Sequence, residues 1–131
     1  MNRKINQIQS RGDILNEWKK IRTAWKNTWN FAHPNPFFGA FIVEQGLLLR
    51  SYAKIIIDAV SLFQKCKQFV PSEYKDRYKK IITKDSSLLL QRDKMGHDME
   101  LFGESECKEK LFEIQNNLLD FGLINNADKL S

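Results

Sequence analysis

Two side chains in the last third of the chain have the types and the spacing that phosphodiester chemistry needs. In the stretch Gln91-Arg92-Asp93-Lys94-Met95-Gly96-His97-Asp98, Asp93 follows the arginine directly and Gly96 precedes the histidine. An imidazole titrates near neutral pH and can take a proton from a hydroxyl. A guanidinium stays charged, and its planar fork fits a phosphate bidentately. On an unbroken helix the step from Arg92 to His97 sets their side chains about 140° apart. A turn at Gly96, where no Cβ restricts the backbone, would bring the two onto one centre. Asp93 would then orient one of them through a charge-assisted hydrogen bond. Lys84 and Lys94 lie on the same segment and supply the cationic surface that an RNA backbone would meet.

Other chemistries find less to work with. The chain has 2 histidines and no H-E-x-x-H or C-x-x-C arrangement, and its carboxylates show no paired inward spacing, so no metal and no cofactor is implied. No glycine-rich loop opens a helix to cradle phosphate, and no serine sits in an elbow beside a histidine. His33, beside Pro34 and Pro36, reads as a structural loop residue. Cys66 and Cys107 stand alone in helical segments and read as reduced, buried thiols. Arg11-Gly12-Asp13 reads as a helix start with Asp13 as its cap.

The elements that must position the motif are helices. Ile14, Leu15, Trp18, Ile21, Trp25 and Trp29 recur at helical spacing and predict a helix from about Asp13 toward Phe31. A tryptophan stripe can serve as a base-stacking platform, but core packing is the preferred reading of these three. His33-Pro34-Asn35-Pro36 ends that helix. A central helix is expected from Phe38 to about Phe69, with two short strands hinged at Gly46 as the alternative. Ser72 caps a short helix that buries Tyr74, Tyr78, Ile81 and Ile82, and Asp85-Ser86-Ser87 starts a further one through Leu88 to Leu90. From Ser105 a last amphipathic helix runs to a glycine cap at Gly122. Residues from Asn125 to Ser131 are expected to fray. The expectation is one all-α domain over 1–131, an up-and-down bundle of about four main helices, with the motif between the third and the last.

Bulk properties agree with a folded intracellular chain. Its 131 residues are 42% hydrophobic and 28% charged, enough for one moderate core. The apolar stretch from Phe37 to Phe63 is interrupted by Glu44, Gln45, Arg50, Lys54 and Asp58, which argues against a membrane span. The N-terminus lacks the apolar core of a signal peptide, so a cytoplasmic location is expected. A net charge of +5 admits an anionic partner, though lysines interspersed with carboxylates also describe an ordinary solvated surface.

Arg92-Asp93-Lys94-Met95-Gly96-His97 resembles the R-[N/D/H]-x(3-5)-H signature of HEPN domains. These small helical bundles often act as metal-independent ribonucleases in phage defence and toxin-antitoxin systems. The resemblance covers the helical class and this one motif. It implies an endoribonuclease in which Arg92, His97 and Asp93 are catalytic, RNA is the substrate, and two copies join their motifs in one cleft. A cognate antitoxin or regulatory protein is the further partner it implies. Where the subfamily paired with nucleotidyltransferase antitoxins has a tyrosine two residues after the histidine, this chain has Met99, which argues against regulation by modification of that tyrosine. The alternative reading is a non-enzymatic helical module, either a nucleic-acid-binding protein or a small phage or host-defence regulator that binds a protein.

A single motif supplies one base and one arginine, whereas a twofold pair supplies two of each along a shared groove. Sedimentation at micromolar concentration is therefore expected to give a homodimer. A strict monomer would remove the composite site.

Overall fold

The computed structural model describes residues 8–32, 45–94 and 104–130, with the side chains of 45–49, 85–94 and 104 excepted. Four helices carry the fold: α1 (Arg11–Ala32), α2 (Gln45–Lys65), α3 (Lys75–Lys94) and α4 (Glu104–Asp120). Short 3-10 turns follow α2 at Lys67–Phe69, precede α3 at Ser72–Tyr74 and close the chain at Asn126–Asp128. No strand occurs among the described residues, and Gly46 lies within α2, so the helical reading of this segment holds over the strand hinge.

Successive helices run up and down. At the foot of the bundle, Gln68 just past α2 donates its side-chain amide to the Ile8 carbonyl before α1. Tyr78, in the first turn of α3, donates its hydroxyl to the carbonyls of Phe63 and Gln64 in the last turn of α2, at 2.7 and 2.9 Å. Arg77 reaches from the start of α3 to the Asp120 carboxylate at the end of α4, 2.8 Å away. The start of α4 therefore lies at the opposite, upper end.

α2 is the hub. Tyr52, Ala53, Ile55, Ile56, Ala59, Val60, Leu62 and Phe63 are buried on it, against α1 on one side and α4 on another, with α3 across the foot. Lys54, Asp58, Ser61 and Lys65, spaced at four, three and four, continue the exposed polar strip that Arg50 begins. Leu111, Ile114 and Leu118 of α4 and Ile14, Trp18, Ile21 and Trp25 of α1 complete the core. Each such side chain stabilises the fold by about 1.5–3 kcal/mol.

The local signals that set helix ends are partly those the sequence announced. Ser10, not Asp13, is the N-cap of α1. Its hydroxyl accepts from the Asp13 amide at 3.2 Å, and the Asp13 carboxylate accepts from the Ser10 and Gln9 amides at 3.1 and 2.9 Å, a reciprocal box. Ser72 makes no cap bond for its own short turn, which follows Pro71. Asp85 starts no new helix, because α3 continues unbroken to Lys94. With no glycine or proline from Lys75 to Lys94, propagation costs less than a fresh start, and a serine or aspartate caps only where the chain turns. At the end of α4, Gly122 adopts φ +74°, its amide bonds the Leu119 carbonyl, and the Leu123 amide reaches the Leu118 carbonyl at 2.9 Å. This is a Schellman cap, with Leu118 and Leu123 both buried beside it.

The expected fraying from Asn125 onward does not occur over the described tail. Trp18 Nε1 donates to the Asp128 carbonyl at 2.7 Å, and the Gln115 side-chain oxygen accepts from the Leu130 amide at 2.6 Å. Asn125 and Asp128 cap the last turn reciprocally, and Ile124 and Leu130 are buried. Two buried polar groups, an indole N–H and a glutamine oxygen, find their partners only in this segment, so its docking meets a cost that the core would otherwise carry.

Gly122→Ala places a Cβ in open space but forces a left-handed backbone on alanine. Unfolding in urea should show a loss of about 1–2 kcal/mol. Gly12→Ala, in the first turn of α1 with only Ser10 Oγ at 3.5 Å, should be neutral or slightly stabilising. Equal effects of the two would contradict the cap.

Candidate nucleic-acid interface

The motif is divided by the end of α3. Arg92, Asp93 and Lys94 form its last residues, whereas Met95, Gly96 and His97 lie outside the described residues. The approach of Arg92 to His97 is therefore an expectation from the sequence alone. Lys84, the fourth candidate on this helix, is described and exposed. The backbone places it about 12 Å along the axis from Arg92, on the same continuous rod. The helix thus joins two candidate residues that a break at Asp85 would have separated.

The cations of α3 fall into two kinds. Arg77 is held by the fold: it bonds Asn117 and Asp120 and lies over the rings of Tyr74 and Phe121, 5.8 and 5.4 Å from their centroids. Lys75 donates to the Lys67 carbonyl at 2.8 Å and fixes the turn before the helix. Lys79, Lys80 and Lys84 are exposed further along and make no ion pair among the described residues. Lys79 and Lys80, with Asp76 and Thr83, line a shallow hollow of about 470 Å³. A phosphate chain could take the place of solvent along this lysine-bearing face without breaking a native contact.

A second hollow, of about 410 Å³ between α1 and α2, is charged in both senses. Lys20 pairs with Glu17 at 3.2 Å and Lys54 with Asp58 at 3.4 Å on its wall, so its charge is largely neutralised. A third, of about 610 Å³, lies between α1, α4 and the tail, and no aspartate or glutamate lines it. Trp29 belongs to this third one. Of the three tryptophans read as core, Trp18 and Trp25 are buried, while Trp29 is half-buried at its edge. The helical spacing of Arg22, Lys26 and Trp29 was visible as a second stripe beside the buried one. Lys108 and Lys129 join it only through the fold.

Neither thiol offers a nucleophile to such a site. Cys66 and Cys107 are unbridged and buried. Burial pushes the Cys66 thiol up to about 12 from its usual value near 9. The Tyr78 phenol is raised as well, by burial first and then by the nearby Cys66. Among the described residues no group of three or more histidine, cysteine or acidic side chains converges to hold a metal ion, and no helix is long and apolar enough to cross a membrane. No known family, curated protein or solved structure matches the chain.

Cys66 and Tyr78 are acids that the fold keeps neutral. Their contribution to stability is fully present below pH of about 9, where the unfolded thiol is also protonated, and is lost as pH rises through about 12. Urea midpoints should fall as pH rises above about 9, and thiol reagents should modify the cysteines only on unfolding. A flat alkaline profile, or fast labelling of the native protein at neutral pH, would contradict the buried environment.

Proposed function

We propose that the protein is a metal-independent endoribonuclease that holds RNA along the lysine-bearing face of α3 and cuts it with Arg92, Asp93 and His97, as the resemblance to HEPN toxins and defence effectors implies. The observation that supports it most is the continuity of α3: one 20-residue helix carries exposed Lys79, Lys80 and Lys84 toward a last turn made by Arg92, Asp93 and Lys94. A backbone bound along that face is led to the residues that would react with it.

The chemistry follows from the residue types. His97 takes the proton of a ribose 2′-hydroxyl, the freed oxygen bonds to the adjacent phosphorus, and the bond from phosphorus to the 5′-oxygen breaks. The departing oxygen accepts a proton from a second imidazolium, which in a homodimer is His97 of the other copy, or from water. Arg92 holds the phosphate and offsets the charge that builds on its oxygens, and Asp93 fixes the orientation of one of the two. Lys84 and Lys94 contact flanking phosphates. This reading places the protein with its substrate in the cytoplasm, where buried reduced thiols are at home, and allows for a cognate antitoxin or regulatory protein that covers the motif.

Purified protein incubated with single-stranded RNA in EDTA should yield fragments ending in 2′,3′-cyclic phosphate. DNA of the same sequence should survive, because it lacks the attacking hydroxyl. His97→Ala, shown to be folded, should slow cleavage by a factor of about 100 to 10,000, and Arg92→Ala by a comparable one. If both variants cut as fast as the parent, or chelation abolishes cutting, the motif is not the centre and the chain is a non-enzymatic helical module.

A further inference from the structure

The groove between α1, α4 and the tail differs from the two other hollows described above by its lining. Arg22 and Lys26 stand on one wall, Lys108 on the other and Lys129 at the tail, with Trp29 and Phe112 between them. Four cations share about 610 Å³ with no carboxylate among the lining residues. Lys26 and Lys129 are exposed and make no ion pair among the described residues, and Arg22 meets only the Ala127 carbonyl at 3.5 Å. Like charges gathered without counterions repel one another, and the potential they create is relieved by an anion.

Trp29 gives the groove a second property. Its ring stacks on Trp25 at 6.0 Å, with 26° between the planes, and Lys108 Nζ lies 4.7 Å from its centroid. The ring is thus backed by a buried indole, and the Lys108 ammonium, on a long stem, lies over it. A flat, apolar face flanked by cations is what a nucleotide requires: the base stacks, and the phosphates on either side meet lysine and arginine. Thr23, Asn27 and Asn30 on the same wall carry the donors and acceptors that a base edge can use.

We propose that this groove binds a short run of single-stranded nucleic acid, RNA under the ribonuclease reading on which the proposal rests. One base stacks on Trp29, and Lys108 moves from the ring to a neighbouring phosphate. The ammonium exchanges the ring's negative face for a full negative charge, so the stack and the ion pair form together. The position suits such a role. Lys108 lies in the second turn of α4, the helix that follows the motif in the chain. Nine residues join the motif-bearing end of α3 to Glu104 and can span at most about 35 Å, which bounds the separation of Lys94 from the start of α4.

Fluorescence anisotropy with a labelled 2′-O-methyl oligonucleotide, which lacks the free hydroxyl and cannot be cut, tests this apart from catalysis. The native chain should bind it, and Lys26→Ala with Lys129→Ala should weaken binding for every sequence and lower the salt slope by about one to two. Trp29→Leu should weaken binding about tenfold and Trp29→Phe much less, because a phenyl ring still stacks. Single-stranded DNA should bind comparably, since base faces and phosphates are common to both, and duplex RNA should bind far more weakly. Unchanged affinity in the groove variants, beside a loss in Lys80→Ala with Lys84→Ala, would overturn the groove and leave cleavage at the motif standing. Groove-dependent binding by a chain that cuts no RNA would do the reverse. Equal binding of duplex, or full displacement by polyglutamate at matched charge, would reduce the site to a general anion or acidic-protein surface and overturn the stacking.

Discussion

The burial of α2 is the constraint on which the other elements depend. Around most of its circumference it carries apolar side chains that water cannot be left to cover, from Tyr52 through Val60 to Phe63. A strip that includes Arg50, Lys54, Asp58, Ser61 and Lys65 faces solvent. An element of this kind is stable only as the middle of a bundle. α1 and α4 must therefore flank it along their lengths, and α3 must close its foot, where Tyr78 and Phe63 meet with ring centroids 5.0 Å apart. The groove between α1 and α4 is a consequence of this arrangement. Both helices are drawn to α2 rather than to each other, and what remains between their outer edges is filled partly by Trp29 and partly by the tail.

The same economy explains why charge of one sign collects in two places. Where cations have structural work they are paired or stacked, as Arg77 is with Asp120 and Phe121. On the α1 and α2 faces lysines alternate with carboxylates at helical spacing. In the α1/α4 groove no carboxylate lines the wall beside the cations, and no packing requirement of the bundle accounts for that. A surplus of five positive charges could have been spread evenly; here much of it lies beside the only half-buried tryptophan and on the helix that ends in the motif.

Much of the fold was legible because it rests on local periodicity. The tryptophan stripe of α1, the helical spacing from Leu47 to Cys66 and the glycine after Phe121 each report a short-range rule, while the stop expected at His33 to Pro36 lies outside the described residues. The departures arise where a local signal competes with a longer-range one. Asp85-Ser86-Ser87 carries cap chemistry, but a helix with no breaker continues through it. Asn125 to Leu130 has the composition of a loose end, yet the Trp18 indole and the Gln115 side chain need its backbone. Of the site, the motif and Lys84 were legible as types and spacing. The groove was not, because Lys108 and Lys129 are separated from Trp29 by about eighty residues or more and meet it only once α2 is covered. Trp29 itself was assigned to the core by the periodicity it shares with Trp18 and Trp25, a rule that cannot distinguish a stripe's centre from its edge.

The account turns on one strand of RNA touching both the groove and the motif, and side-chain NMR sees both at once. With 3 tryptophans and 2 histidines in the chain, indole and imidazole resonances can be assigned by single substitutions. Titration with an RNA carrying a single 2′-deoxy nucleotide at the cleavage position should shift the Trp29 indole and the His97 imidazole over the same concentration range, while Trp18, buried in the core and outside the groove lining, holds still. RNA that leaves the His97 signals unmoved at saturation would contradict the account.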